Sequence, residues 1–471
     1  MDLDAAKKLI KQYIPGHTTF ERQAKVAERY YRVDNDIMYC KKKDACDNNP
    51  MRQADNHIPH SFYNLLVDQK AAYMFTTPPL FDAKNDAQNK LIATMLGDSY
   101  AKKAKELAVN ASNAGVAWVH YWDDDDGFGW GVVPSAQIIP VWSTRLDHKL
   151  LAVLRVYQAI DSDMGDRYTA YEYWTDEVCQ AFRKPADPSI TIDTGLQYWS
   201  CFSDFYDDGD SGAANEYVHG LDAVPFIPFY NNGIGTSDLD KVKALIDAYD
   251  KTYSGFMDDL EDIQEVIFVL SGYGGEDNLD KFLHDLKRFK TIQTDPPVSG
   301  DDKSGISTLT IDIPVEAREK MLEITRKAIF DMGQGIDPQQ QGLDATSGEA
   351  MKFLYALLEL KAGLMETEFR HGFNELVRAI LHSQGQQTDT IIQTWTRTAI
   401  RNDAELVDMC SKSEGIISRK TILKNHPFVE SVEDEEKQLE KEEEEAAAKA
   451  DIYSNGEDGQ NPSTGGGVGN V

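Results

Sequence analysis

The sequence lacks the features that mark a membrane or secreted protein. No stretch approaches about 18 uninterrupted apolar residues, so the sequence predicts no membrane-spanning helix. The opening MDLDAAKKLIKQYIPGH has lysines but no apolar core long enough for a signal peptide, and it is typical of a short amphipathic helix. The 5 cysteines are scattered and odd in number, which gives no disulfide framework and suits a reducing compartment.

Positive charge is also scarce. The chain has 48 Lys and Arg against 79 Asp and Glu, a formal net charge of −31. A conventional nucleic-acid binder carries a basic stripe, so this composition excludes tight, counterion-releasing contact with DNA over the whole surface. Part of the acidic excess lies in residues 430–450. The hydrophobic content of 41% is that of a folded protein, and 471 residues can bury more than one core.

No motif in the chain predicts catalysis, a metal site or a cofactor. Asp123–Asp126 stand before Gly127 between strand-like segments, which favours a charged hairpin turn over a metal site. His57 and His60 flank Pro59, so they share no helix face and fit a role at a helix start better than zinc binding. A metal-dependent enzyme acting on nucleic acid stays open as one alternative, because carboxylates are abundant. A generic coiled-coil scaffold or adaptor is the other.

The stretch QQQGLDATSGEAMKFL, residues 339–354, places a polar loop directly before an apolar-striped helix. Glycine loops at helix starts often hold phosphate. Here Gly342 and Gly348 have the wrong spacing for a P-loop, and Glu349 stands where its lysine should be. Thr346 and Glu349 instead fit a capping box, in which the helix satisfies its first turn with its own side chains. A bound nucleotide is therefore not predicted.

Hydrophobic periodicity divides the chain into regions of different structure. Residues 1–113 predict helices, including one at SFYNLLVDQKAAYMF, and residues 115–230 predict an antiparallel meander of short β-branched and aromatic strands. A helical stripe returns over residues 237–265, in a segment that ends VIFVL, and a second helix follows at 315–332. These two helices bracket a small α/β module. A long helix is then predicted from Ser347 to Ser383.

Four stretches are similar, in this order, to one known family. They are YYRVDNDIMY, ADNHIPHSFYNLLVDQKAAYMFTTPP (54–79), SGEAMKFLYALLELKA (347–362) and ISRKTILKNHPFVESVEDEEKQLEKEEEE. Together they resemble the portal proteins of tailed bacteriophages, the siphophage type in particular. The resemblance runs from about residue 10 to 445, and several ordered motifs are more specific than any one of them.

This resemblance implies an α+β, mostly helical portal fold. The family has an α/β wing, a two-helix stem, a small α/β clip, a tunnel loop followed by a long helix, and a helical crown. The order of segments implies wing 1–236, first stem helix 237–265, clip 266–314, second stem helix 315–332, tunnel loop 333–347, long helix and wing or crown base 348–410, crown and acidic helix 411–450, and tail 451–471. The composition of the tail is typical of disorder.

The resemblance also implies a structural function, with no catalysis and no cofactor. Portals form rings, usually of twelve subunits in the virion, at one capsid vertex, and double-stranded DNA passes through them during packaging and ejection. The implied partners are further copies of the chain, the large terminase subunit, a head–tail adaptor, and the major capsid and scaffolding proteins, with no membrane. The implied location is the virion, and the host cytoplasm during assembly.

Two groups of site residues follow from this implied layout. The tunnel loop would meet DNA phosphates transiently without holding them, and its candidate residues are Gln334, Gln339, Gln340, Gln341, Gly342 and Asp344. The capping pair Thr346 and Glu349 follows the loop. A local basic patch in the clip would dock an acidic face of terminase or adaptor, unless it is only a solvated helix face; it consists of Lys281, Lys287, Arg288 and Lys290.

Overall fold

The computed structural model confirms the predicted α+β class. It describes residues 1–40, 54–124, 127–161, 165–205, 211–263, 267–271, 305–309, 314–339, 348–397, 403–429, 431–432 and 434–443. Within that part of the chain, no helix has both the length and the apolar character that crossing a bilayer requires.

The N-terminal helices are α1 (Leu3–Tyr31), α2 (Phe62–Phe75), α3 (Asp86–Leu96) and α4 (Tyr100–Ala114). The side chain of Asp2 caps α1 by accepting the Ala5 N–H at 2.7 Å. α1 runs through Pro15, so the predicted short N-terminal helix and the segment after it form one element. α4 ends at Gly115, where φ is +84° and a Cβ would lie 2.2 Å from the Gly235 carbonyl oxygen. Only glycine fits there.

Antiparallel strands follow, confirming the predicted meander. The elements are β1 (Leu80–Asp82), which lies among the helices, then β2 (Val116–Asp124), β3 (Gly127–Val133), β4 (Ile138–Trp142), β5 (Leu150–Ile160), β6 (Arg167–Trp174), β7 (Val178–Pro185), the short helix α5 (Ile192–Gly195), β8 (Gln197–Tyr198), β9 (Phe202–Phe205), β10 (Ser211–Ala214), β11 (Glu216–Val218) and β12 (Phe226–Tyr230). Asp124 pairs with Gly127 across a hairpin, as the turn prediction required.

The strands divide between sheets, which the period of two alone does not reveal. One sheet has the order β12-β2-β3 and another β11-β7-β6-β5-β4, with β8 beside β7 and a separate β9-β10 pair. Periodicity shows which face a residue occupies but not which strand lies next to it. The face of α1 that carries Ala6 and Ile10 packs on the larger sheet, against Ile139, Leu154, Tyr171 and Phe182.

A histidine lies in the apolar cluster between these sheets. The ring of His120 stacks on Phe226 with centroids 4.5 Å apart, and its Nδ1 lies 2.8 Å from the carbonyl oxygen of Pro225. Burial lowers the pKa of His120 to about 4, because its charged form would lose hydration. His120 is therefore neutral at physiological pH, and its Nδ1–H donates to Pro225.

The later elements agree with the predicted helices within a few residues, with one exception. They are α6 (Lys243–Ile263), β13 (Ile267–Ser271), β14 (Gly305–Leu309), α7 (Val315–Gly333), α8 (Gly348–Ser383), β15 (Ile392–Thr394), α9 (Asp403–Lys412) and α10 (Arg419–Asn425). A 3-10 turn at Leu239–Lys241 precedes α6, so the helix starts later than residue 237. The run IFVL does not extend the helix: β13 pairs antiparallel with β14, which suits its β-branched and aromatic residues.

The chain forms two compact units. The first comprises Met1–Gln340 and Tyr355–Thr398, and the second comprises Gln341–Leu354 and Ala399–Val471. In the second unit, Arg419 of α10 pairs with Glu443 at 2.6 Å, within the acidic segment that the sequence predicts to be helical. Residues 434–443 of that segment are helical.

Candidate functional site

The predicted stem helices, α6 and α7, pack against each other and against α2. Their shared core is fully or nearly fully buried and contains Tyr63, Leu66, Val67, Leu239, Val242, Ile246, Ile329 and Phe330. Arg318 of α7 donates to the Asp259 carboxylate of α6 and to the Gly255 carbonyl. The two helices are thus joined by apolar packing near α2 and by an ion pair further along.

The chain leaves α7 through a closely packed segment, residues 333–337. Gln334 takes a left-handed conformation with φ +56°, and the Gly335 N–H donates back to the last turn of α7 at 3.1 Å. Gly333 and Gly335 lie against Leu66 of α2, where a Cβ would sit 2.5 Å and 2.2 Å from the Leu66 methyl groups. The absence of side chains at both glycines allows the chain to turn directly against α2.

Polar side chains fix the same segment. Gln69 of α2 forms hydrogen bonds with both backbone groups of Ile336: its Nε2 donates to the carbonyl at 2.7 Å and its Oε1 accepts the N–H at 2.9 Å. Arg326 of α7 forks onto Asp337, with Nε–Oδ2 at 3.0 Å and Nη2–Oδ1 at 2.7 Å. Burial opposes ionisation of Asp337, but the Arg326 hydrogen bonds prevail and lower the pKa of its carboxyl.

Two buried ammonium groups share one carboxylate beside this segment. Lys70 of α2 and Lys361 of α8 lie 2.5 Å and 3.1 Å from Asp238 Oδ2, and all three side chains are almost inaccessible to solvent. Lys70 also donates to Asn231 Oδ1 at 2.7 Å, and Lys361 donates to the Gly333 carbonyl at 2.9 Å. The second cation therefore rests on the C-terminal carbonyl end of α7, where the helix dipole favours positive charge.

Burial and ion pairing compete in setting the pKa values of this cluster. Burial lowers the pKa of Lys70 to about 8, although Asp238 opposes that effect. Burial acts against the charged form of Asp238 as well, but Lys361 and Lys70 outweigh it and hold the pKa of the carboxyl well below its usual range. Asp238 is therefore an anion around which α2, α8 and the connection into α6 are assembled.

Comparison with known proteins gives the family. A family model described as phage portal protein, SPP1 Gp6-like, matches residues 10–449. The chain belongs to the phage portal protein family. The portal protein of Clostridium phage phiCD119 is 41% identical over 453 residues, covering 91% of this chain and 94% of that protein. The portal protein of Bacillus phage SPP1 is 30% identical over 439 residues, covering 88% and 82%. The predicted portal role at a capsid vertex is thereby confirmed.

Solved structures of gene transfer agent particles are also similar to this portal chain, at 11% identity. One is a virion of the native particle, with a TM-score of 0.43 and coverage of 76% of this chain and 88% of that chain. Another is the neck of the native particle computed with C12 symmetry, with a TM-score of 0.42 and coverage of 77% and 88%.

The structure locates only part of the predicted portal sites. Gln334 is the C-cap of α7, and its Oε1 accepts from Lys241 at 3.3 Å; Gln339 is exposed, and its N–H donates to Asp337 at 3.0 Å. Outside the described residues lie Gln340, Gln341, Gly342, Asp344 and Thr346, and the clip residues Lys281, Lys287, Arg288 and Lys290. Glu349 lies in the first turn of α8, but its side chain is outside the described part of the structure.

The sequence motifs that were set aside have structural positions in this portal. Asp123 and Asp124 end β2, and in the described part of the chain no cluster of three or more His, Cys, Asp or Glu residues is arranged to hold a metal. His60 precedes α2, which begins at Phe62, and its Nδ1 lies 2.7 Å from Asp250 of α6. The sequence predicts that His60 acts at the start of α2, but its side chain contacts the neighbouring helix α6 and does not cap α2.

The polar residues that assemble this region were not predicted from the sequence. Gln69 and Lys70 lie within the family-like stretch 54–79, and Lys361 lies within 347–362, but neither stretch indicates what these side chains contact. Asp238 lies outside the family-like stretches. One signal was available: a lysine or aspartate inside an apolar stripe is buried only when it is paired. Such a residue predicts a buried partner but does not identify it.

Proposed function

We propose that this chain assembles into a closed ring of about a dozen copies through which double-stranded DNA enters and leaves the capsid. The family match over residues 10–449 carries the proposal. The order of elements supports it, because two packed helices bracket residues 264–314 and a long helix, α8, follows after a short interval. That is the order of stem, clip, stem, tunnel loop and long helix that the resemblance implies.

The lining of such a ring must let DNA slide without holding it. With a net charge of −31, the chain repels phosphate at short range, over a screening length of about 8–10 Å. Three of the four cations of α7 are paired with acids: Arg318 with Asp259, Lys320 with Glu323, and Arg326 with Asp337. Paired cations release few counterions on meeting DNA, so tight salt-dependent binding is not expected.

An exposed apolar stripe on α8 supports contact between copies. Leu357, Leu360 and Leu364 are 42%, 57% and 49% exposed, and their spacing places them on one face of the helix. Contiguous exposed leucines usually mark an interface, whereas single ones do not. In a closed ring each copy meets its neighbour through two different surfaces. We assign this stripe to one of them.

The remaining parts of the function concern partners. The ring receives DNA from the large terminase subunit, whose ATPase supplies the energy, and later joins a head–tail adaptor; the portal itself performs no catalysis and needs no cofactor. Assembly with scaffolding and major capsid proteins takes place in the host cytoplasm before the portal becomes part of the virion. The clip lysines Lys281, Lys287 and Lys290, with Arg288, are proposed to dock an acidic partner surface.

Mass measurement of the purified full-length chain tests the ring. We expect closed assemblies of about twelve copies, and replacement of Leu360 by Glu should shift them toward monomers because it places a charge in the apolar stripe. The matched control is Leu146→Glu, since Leu146 is 99% exposed and lies outside α8. A wild-type chain that stays monomeric at all concentrations, or that binds short DNA duplexes stoichiometrically with strong salt dependence, would contradict the proposal.

A further inference from the structure

The family-signature segment runs along α6 without joining a sheet, in residues 54–60. Alternate backbone N–H groups donate to side chains on successive turns of α6: Asn56 to Asp258 Oδ1 at 2.6 Å, Ile58 to Ser254 Oγ at 3.0 Å, and His60 to Asp250 Oδ1 at 3.1 Å. Two residues of extended chain span about 6.6 Å and four residues of helix about 6.0 Å, so the two spacings match.

These three hydrogen bonds, from Asn56, Ile58 and His60 to α6, form a ladder whose acceptor side chains are buried. Asp250, Ser254 and Asp258 are 0%, 3% and 6% exposed, so each needs its partner to offset lost hydration. Pro59 has no N–H, but it lies between two donor positions, so its presence removes none of the three hydrogen bonds. Asn35 closes the end by donating to Asp250 Oδ2 at 2.6 Å. The sequence HIPH is therefore shaped for contact with α6.

The next residues of the chain continue this contact to the other side of the stem. Segment 54–60 leads into α2, where Gln69 holds Ile336 just beyond α7 and Lys70 holds Asp238 just before α6. One continuous stretch, residues 54–70, thus contacts three parts of the structure. These are α6 itself, the segment that precedes α6 and the segment that follows α7. We call it the stem clamp.

We infer that the stem clamp fixes the axial position of α6 and α7 relative to each other, so that force on the stem during DNA passage is transmitted to the N-terminal helices. The inference rests on the proposed portal function. Apolar packing between the two helices is not directional and permits sliding, whereas hydrogen bonds at successive turns fix a single register. Gln69, Ser254 and Asp258 act as positioning residues and need not touch DNA.

The test compares two glutamines whose side-chain amides both form hydrogen bonds with backbone groups, one at the stem and one away from it. Gln69→Leu removes both hydrogen bonds to Ile336. The control is Gln393→Leu: Gln393 of β15 donates to the Arg370 carbonyl at 2.7 Å and to Asn374 at 2.8 Å, away from the stem. For each full-length variant, ring mass, amide hydrogen exchange and the amount of DNA packaged with the cognate terminase are measured.

We expect Gln69→Leu to form rings of normal mass, to raise exchange at the Ile336 amide about tenfold, and to lower packaged DNA by about tenfold. Gln393→Leu should keep packaging within about twofold of wild type. Ser254→Ala, which removes only the acceptor for the Ile58 N–H, should repeat the packaging defect, and it replaces Gln69→Leu if that variant does not fold.

Two results would overturn the inference. One is normal packaging by Gln69→Leu, or by Ser254→Ala, with faster exchange at Ile336 or Ile58. The other is an equal packaging loss in Gln393→Leu, which would show a general effect of stability. Failure of the proposed function gives a different result, because a wild type that forms no rings fails at the mass measurement. In that case an unprotected Ile58 or Ile336 amide in wild type would also reject the clamp.

Discussion

Two regions of this portal hold their helices by different physical means. The C-terminal half of α8 is surrounded by aromatic rings: Phe373 lies 5.0 Å from Phe229 and 6.5 Å from Phe75, measured between centroids, and Phe369 lies 5.5 Å from Phe75. α6, α7 and the segments that flank them are held by polar contacts, and we call this region the base. The contacts are the ladder onto Asp250, Ser254 and Asp258, the hydrogen bonds of the Gln69 amide, and the Lys70–Asp238–Lys361 cluster.

The two regions differ in how much displacement of a helix their contacts tolerate. Aromatic packing contributes large burial energies with broad geometric tolerance, so the position of a helix is defined only to within the fit of its side chains. A buried hydrogen bond contributes less but fails completely when donor and acceptor are displaced. A helix in a moving assembly can therefore be strongly held by the first kind of contact and accurately placed by the second.

The largest expected effect is in the aromatic region. Phe373 is fully buried, so Phe373→Ala should lower the free energy of unfolding by about 3–5 kcal/mol through lost burial and a residual cavity. Denaturant titration of the full-length chain measures it. Ile234→Ala, at a residue that is 83% exposed, is the control and should change stability by less than about 0.5 kcal/mol. A loss below about 1 kcal/mol in Phe373→Ala would be close to the effect of a surface substitution. It would show that the aromatic cluster does not hold α8 strongly.

A slightly smaller effect is expected in the polar region. Asp238→Asn leaves the ammonium groups of Lys70 and Lys361 without their shared anion and should cost about 3 kcal/mol of unfolding free energy. The control is Asp193→Asn, because Asp193 is 59% exposed and pairs with Lys11 at the surface, where a pair contributes less than about 1 kcal/mol. Equal effects of the two substitutions in the same titration would show that the buried cluster does not organise the base.

The sequence predicts these two regions unequally. Apolar periodicity identified α2, α7 and α8, because burial repeats with the helix, and Phe369 and Phe373 lie on the buried face of α8. It did not pair Gln69 with Ile336, since these residues are 267 positions apart and no period relates them. The strand β13 was missed because a short apolar run is compatible with helix or strand until its partner β14 is known.

Acid should lower the free energy of unfolding through His120, which is buried between the two sheets. The pKa of His120 is lowered by burial to about 4 in the folded chain and is near 6.5 when unfolded. The unfolded chain therefore binds the proton first as pH falls, and stability is lost between pH 6.5 and 4, by about 2 kcal/mol at pH 5 relative to pH 8. Denaturant titrations across that range measure the loss. His120→Gln should flatten this part of the profile, and an unchanged slope would place the acid sensitivity elsewhere.

The smallest expected effects separate the two kinds of contact most clearly, because they compare substitutions that conserve shape. Met365→Leu changes a fully buried apolar side chain of α8 and should cost less than about 1 kcal/mol, since cores tolerate exchanges of similar volume. Asp250→Asn is closer still in shape, but it presents an N–H₂ group either to the His60 N–H or to the Asn35 amide, which lie 3.1 Å and 2.6 Å away.

Because both of those neighbours are donors, Asp250→Asn should cost more than Met365→Leu, by at least about 1 kcal/mol, and should speed exchange at the His60 amide. Parallel denaturant titrations and hydrogen exchange on the two variants measure the difference. If the aspartate substitution proves the milder of the two, the contacts along α6 tolerate mismatch as well as an apolar core does, and geometry there does not fix the position of the helix.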